Sequence, residues 1–261
     1  MKKFLPLAII FVFLLYSADA YSQSRFSHEI GVGFGMASYQ TDFGQRHDFP
    51  SANQATFQVG LVHYLKFFGS QYSWRSGSTF FSEHFKLKTE FNYMINKNIK
   101  HEGKYLSLEK LQRMTGEIKM YNIGTNIEFY FFELEDYASF YGNENKLNPF
   151  INVGLHYSFY DPDILVDGTS LEGKSEPYGD LIPKWQNGAI YLEKGTTFGV
   201  SAGAGIRYSI SDFDLVFEGR WQHFFSDKVD GIDDTSPNTA SDFRDTMIVV
   251  NVGIVYVFGK Y

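Results

Sequence analysis

The sequence predicts an all-β protein, an eight-stranded antiparallel barrel that crosses a membrane after an N-terminal signal peptide is removed. Three observations carry the prediction. Past its N-terminus the chain contains eight stretches that alternate apolar and polar residues with period 2, each bounded by turn chemistry. Its rings, 27 Phe, 18 Tyr and 3 Trp against only 7 Pro, gather at the ends of those stretches. The number of stretches is even, as closure of a bacterial barrel requires. With 44% hydrophobic residues the chain has the material for a core, while a mean hydropathy of −0.23 excludes a bundle of apolar helices and leaves a barrel open, because alternation dilutes its apolar residues.

The first twenty residues have the form of an export signal. Lys2 and Lys3 make a positive start, Phe4 to Tyr16 an apolar run, and Ala18-Asp19-Ala20 a small-x-small cleavage site, with Ser22 and Gln23 flanking the alternative. The run is shorter than the ~20 residues of a spanning helix. Residues 21–261 then form a single barrel domain. Loss of Lys2, Lys3 and Asp19 takes the net charge from −7 to −8, which gives no reason to expect nucleic acid as a partner. Zero Cys excludes a disulfide scaffold, thiolate metal sites and Cys nucleophiles. No cofactor is expected.

The segments lie near 28–39, 55–67, 84–95, 117–132, 148–159, 196–210, 213–225 and 246–258. Each is longer than the usual 5–6 residues of a soluble strand and meets the ~9–11 needed to cross a membrane at a tilt. In the sixth, Phe198, Val200, Ala202, Ala204, Ile206, Tyr208 and Ile210 alternate with small or polar residues. In the last, Ile248, Val250, Val252, Ile254, Tyr256 and Phe258 share one face. The third sets Phe85, Leu87, Phe91, Tyr93 and Ile95 against Lys86, Lys88 and Glu90, and the seventh sets Phe213, Leu215, Phe217 and Trp221 against Asp214, Glu218 and Arg220. A soluble sheet also alternates. Rings at both ends of an apolar band favour two membrane interfaces.

If the apolar faces meet lipid, the polar faces look inward. They carry Glu29, Glu90, Glu128, Asp214 and Glu218 together with Lys66, Lys86, Lys88, Arg207 and Arg220, five acids and five bases. Eight strands enclose a lumen that side chains fill, and charges there are tolerable only when paired. The expectation is a plugged, salt-bridged interior. With the N-terminus taken as periplasmic, the outer loops are 40–54, 96–116, 160–195 and 226–245, and the inner turns 68–83, 133–147 and 211–212. The third and fourth outer loops are acidic and the second, with Lys97, Lys100, Lys104, Lys110 and Arg113, is basic, so loops of opposite sign could dock or clamp a partner. The second inner turn, with Glu133, Leu134, Glu135, Tyr137, Phe140 and Tyr141, reads as a periplasmic contact surface.

Other clusters have blander readings. Asp227, Asp230, Asp233 and Asp234 surround a Gly as in a calcium loop but lack the alternating spacing and distal Glu of an EF-hand, and read mainly as a solvated acidic loop. His156 and Ser158 share a strand in the spacing of outer-membrane lipid A deacylases, yet parity turns both inward, away from lipid, and no residue to orient the His is identifiable. No catalytic residue is assigned. Gly31, Gly33 and Gly35 lack the helix of a dinucleotide site and suit close packing or curvature. His47, His101 and His223 make no ligand spacing.

Three stretches carry resemblances. Asn251, Gly253, Tyr256 and Phe258 resemble the polar-x-Gly-x-x-aromatic-x-aromatic signal by which outer-membrane barrels reach their assembly machinery, here followed by Gly259, Lys260 and Tyr261. The segment from His28 through Tyr39 to Asp42 and Gly44 resembles the first strand and loop of PorG-like outer-membrane proteins of Bacteroidetes, with their E-x-G…Y-x-G-D pattern, Thr41 standing where that family commonly has Gly. The segment from Phe217 to Gly231 resembles that family's strand and loop ending in an acidic run. The resemblance implies an outer-membrane location, a barrel of the OmpA or OmpW type, lipid and envelope proteins as partners, and a non-enzymatic role as anchor or subunit of an envelope machine such as type IX secretion or outer-membrane protein assembly. The alternatives are a barrel that binds a small ligand or lipid, and a lipid-modifying enzyme.

Overall fold

A computed structural model describes residues 26–41, 55–67, 79–101, 109–134, 146–232 and 245–258. Residues 1–20, read from the sequence as a signal peptide, lie outside them. Eight long strands, β1 (Phe26–Gln40), β2 (Ala55–Phe67), β3 (Phe85–Lys100), β4 (Met114–Tyr130), β5 (Leu147–Val166), β7 (Gly195–Ile210), β8 (Phe213–Phe224) and β9 (Thr246–Val257), pair antiparallel with their neighbours in sequence. β1 pairs with β9 and β4 with β5, so the sheet closes on itself. The two-residue β6 (Thr169–Ser170) folds back on the end of β5. Two short helices, α1 (Phe80–His84) and α2 (Glu109–Gln112), interrupt the connections. Among the described residues no helix is long and apolar enough to cross a membrane.

Alternation dictates the two surfaces. Ile30, Val32, Phe34 and Met36 of β1, Val153 and Leu155 of β5, and Ile248, Val250, Val252 and Ile254 of β9 point outward and are exposed. Their register partners continue the belt around the wall: Val32 sits between Leu61 and Ile254, and Phe34 between Val59 and Val252. Rings border it at both ends, with Phe26, Phe67, Phe81, Phe85 and Phe129 at the inner rim and Tyr157, Phe159, Phe198 and Trp221 toward the outer rim. An exposed apolar surface of this extent is stable only against lipid, and the closed ladder satisfies the backbone groups that lipid cannot.

The strands on one side outrun the sequence reading. β3 continues to Lys100 instead of ending near 95, β4 starts at Met114, and β5 runs to Val166 instead of 159. Pro162 and its flanking aspartates look like a strand end in sequence. β5 loses β7 as a partner beyond Tyr160↔Gly195 and meets β6 only at Leu165 and Val166, so residues 161–164, still paired with β4, form an edge where a proline is tolerated. Tyr160, Pro162, Ile164 and Val166 keep the period and stay buried. The wall therefore projects beyond the lipid-facing belt on the β3–β4–β5 side.

Candidate functional site

The interior is layered along the barrel axis. At the inner end Tyr64, Tyr130, Leu134, Phe150, Val216 and Val255 form an apolar floor. Leu134 is buried in it, which corrects the expectation that this turn presents it as part of a contact surface: its side chain serves as a plug because the lumen end offers apolar partners. Glu133 is exposed, and Glu135, Tyr137, Phe140 and Tyr141 lie outside the described residues.

Around and above the floor are the ten charged residues that parity assigns to the lumen, and all are buried. Glu29 receives Lys86 Nζ at 2.7 Å and pairs with Arg207, whose Nε donates to Asp214 at 2.7 Å. The Arg207 guanidinium lies 4.9 Å from the centre of the Tyr64 ring, so a ring face supplements the carboxylates. One layer outward, Lys88 Nζ donates to Glu218 at 2.6 Å and lies 3.3 Å from Glu90 and 3.8 Å from Glu128. Arg220 pairs with Glu90, Asn152 donates to the second oxygen of Glu218 at 2.7 Å, and Tyr130 donates to Glu128 at 2.6 Å. Lys66 is buried beside this set, its register partner on β3 being Lys86. Glu29–Arg207, Lys88–Glu218 and Glu90–Arg220 join strands far apart in sequence, so neither spacing nor parity names those pairs.

A cavity of about 20 Å³, room for one water, lies against this layer. Gln58 and Asn92 line it, and Gln58 Oε1 and Asn92 Nδ2 have no protein partner. A small organic ligand needs a pocket of roughly 300 Å³ or more.

His156 points inward, as does Ser158, but its partner is a different serine. Ser201 Oγ lies 2.8 Å from Nε2, and Asn122 Oδ1 lies 3.0 Å from Nδ1. The carbonyl oxygen of Asn122 only accepts, so Nδ1 carries the proton and Nε2 faces the hydroxyl. This resembles a nucleophile, a base and an orienting group, but Ser201 Oγ also donates to Asn126 Oδ1 at 3.1 Å, so Nε2 competes with a second acceptor for its single proton. It was not legible in sequence because Ser201 and Asn122 sit on β7 and β4, opposite sides of β5. All three are sealed between the ion layers and the outer cap, while the lipid side of β5 shows Ile151, Val153, Leu155, Tyr157 and Phe159. Gly124 is the packing counterpart: a Cβ there would collide with the His156 ring.

The outer mouth is closed by a cap that sequence reading missed. Leu171, Leu181, Trp185, Ala189 and Ile190, all from the connection between β5 and β7, bury against Met94, Ile99, Met114, Ile118 and Met120 of the wall. Val229 and Ile232 join them from the β8–β9 connection, with Ile190 bridged to Ile232. The basic second loop docks on this cap, Lys110 Nζ donating to the carbonyls of Gly179 (2.7 Å) and Leu181 (3.0 Å) and Arg113 Nε to Asp167 at 2.8 Å. His101 stacks on Trp185 at 5.4 Å, and burial lowers its pKa to about 4.

Of the calcium-loop candidates, only Asp227 and Asp230 fall among the described residues. Asp230 is buried and accepts from its own loop at Ile232 N, 2.9 Å away, and Asp227 belongs to the same turn, while Asp233 and Asp234 lie outside the described residues. His223 packs between Trp221 and Phe225 on the outer face. His47 lies outside the described residues. Of the assembly-signal residues, Tyr256 and Phe258 face outward in edge-to-face contact at 5.0 Å, and Gly253 and Asn251 face the lumen and line its cavity.

No family model matches the chain, and no curated protein matches it. Solved structures similar to it include Neisserial surface protein A (NspA), at a TM-score of 0.48 and 10% identity over 90% of this chain and 100% of that one. A major outer membrane protein from Thermus thermophilus gives 0.44 and 9% over 89% and 100%, and the outer membrane protein OprG from Pseudomonas aeruginosa gives 0.38 and 12% over 90% and 98%. The placement of this chain rests on its own barrel: eight strands closed edge to edge, an apolar ring-bordered exterior and a charged interior are the construction of an outer-membrane protein.

Proposed function

We propose that the chain is a non-enzymatic outer-membrane barrel that anchors or scaffolds a partner complex of the cell envelope. The blocked interior supports this reading. An apolar floor, two layers of paired charge and a cap fill the described lumen, and the cavity beside Gln58 and Asn92 has room for one water. What such a barrel offers a cell is a stable platform with surfaces on both sides of the membrane. Within that class the PorG-like segments from His28 and from Phe217 favour a machine such as type IX secretion over a general assembly role.

The experiment is purification of a tagged copy from mild detergent, followed by identification of what travels with it and by planar-bilayer recording. Envelope proteins in fixed ratio and a silent bilayer are expected. A chain that returns alone, or one that gives steady, large conductance, overturns the proposal. The Ser201–His156–Asn122 arrangement favours the enzyme reading, and it has its own test. The enzyme reading expects His156→Ala to abolish any lipid A change that depends on this protein, whereas the anchor reading expects the variant to lower barrel stability and leave lipid A unchanged.

A further inference from the structure

At the inner rim, outside the lumen, three potential metal ligands converge from two elements. One carboxylate oxygen each of Glu83 and Glu133 and one ring nitrogen of His84 lie within 4.8 Å of one another. Glu83 and His84 end α1, and Glu133 follows β4. Their backbones are held independently of one another. Thr79 caps α1 through a reciprocal hydrogen-bond pair with Ser82, and Glu83 N bonds Thr79 O at 3.0 Å. The residue before Glu133 is pinned from the other side: Phe132 N donates to Asn148 Oδ1 at 3.1 Å and its carbonyl accepts from Asn148 Nδ2 at 3.0 Å.

The imidazole is also oriented by a group that is not a ligand. His84 Nδ1 lies 2.9 Å from the carbonyl oxygen of Tyr130. A carbonyl oxygen only accepts, so Nδ1 carries the proton and the neutral ring keeps its lone pair on Nε2. An N–H to backbone carbonyl bond is the outer-shell contact that fixes the tautomer and raises the basicity of a metal-binding histidine. Phe80, 4.5 Å from the ring centre, and Phe129, 5.7 Å away, restrict its rotation further.

From this geometry we infer a binding site for a divalent transition ion, Zn²⁺ by preference, formed by His84, Glu83 and Glu133 on the periplasmic rim. One imidazole with two carboxylates suits zinc and its first-row neighbours better than calcium, which takes six to eight oxygens. Bonds of about 2.0–2.1 Å put tetrahedral donors roughly 3.3 Å apart, so side-chain adjustments of about an ångström close the site. Three protein ligands leave a fourth position for water or for a donor from a partner. The bound ion ties the connection that ends in α1 to the end of β4, locking the rim of the barrel on the side where an envelope partner would dock.

The test uses the refolded full-length mature chain in detergent, with any affinity tag removed, titrated with Zn²⁺ by calorimetry and with Co²⁺ by visible absorption. A folded barrel is verified in each variant by its heat-modifiable gel mobility. One saturable site is expected, with a tetrahedral cobalt band. Glu133→Gln, on an exposed residue that leaves the fold intact, should weaken binding at least tenfold, and His84→Ala should abolish it. His63→Ala, which removes one member of the histidine pair His28–His63 (3.0 Å between ring nitrogens) on the outer wall, should leave it unchanged. No saturable binding, binding unaffected in a folded Glu133→Gln, or binding lost in His63→Ala instead overturns the inference.

Discussion

Arg207 is fully buried, and its neighbours make that tolerable: Glu29, Asp214 and the Tyr64 ring surround the guanidinium. Removing it takes the Arg207 charge from Asp214 and leaves Glu29 with Lys86 alone, and breaking a buried ion set in this way costs about 3–5 kcal/mol. Arg207→Ala should therefore lower the stability of the reconstituted barrel by that much in denaturant unfolding, whereas replacing the whole set with apolar residues of similar volume should cost far less. At Gly124 the constraint is space. The His156 ring occupies the place where a Cβ would be, so Gly124→Ala forces the ring off Ser201 and Asn122, and a loss of about 1–3 kcal/mol is expected in the same unfolding measurement. His101 supplies a pH dependence. Burial holds it neutral, with a folded pKa of about 4 against 6.5 when exposed, so between those values the opened form binds more protons and docking weakens as pH falls. The cap is fully held above pH 6.5 and loses on the order of 2–3 kcal/mol by pH 4. Amide exchange of residues 171–190 at about pH 7 and about pH 4.5 reads this directly, and His101→Gln should flatten the difference.

Among the elements, the strands and the cap differ in how visible they are beforehand. β9 was legible because six apolar residues recur at every second position from Ile248 to Phe258, a pattern that geometry imposes on any strand with one face in lipid. The connection from Asp167 to Lys194 has no period. Its acidic residues suggest a solvated loop, and the five residues that fill the mouth are separated by irregular intervals, so only the arrangement of the opposing wall shows that Trp185 and Leu181 have somewhere to go. Trp185→Ala should remove the centre of that packing, at about 3–5 kcal/mol of local stability. Limited proteolysis of intact vesicles should then cut the 167–194 connection while the eight strands remain protected. The exposed Arg113–Asp167 and Lys110 contacts add orientation. Their loss should shift cap protection at low salt and have little effect at high salt.

For the molecule as a whole, the exterior belt makes a depth-dependent prediction. Leu155 lies mid-strand on β5 and is 68% exposed; an arginine there should cost about 2–4 kcal/mol of stability in lipid, and one near the rim close to nothing. A soluble sheet would show no such gradient. The sequence by itself determined the number of strands, the face each turns outward and the set of ten charges that must share the lumen, because all of these follow from a local period of two. Only the tertiary structure decided who pairs with whom: Glu29 with Arg207 and Lys86, Lys88 with Glu218, Ser201 with His156. It also decided that loops fold back to cork the mouth and that Glu83, His84 and Glu133 meet at the rim. Those contacts join positions far apart in the chain, and closure of the barrel, which no local pattern encodes in detail, sets the distances between them.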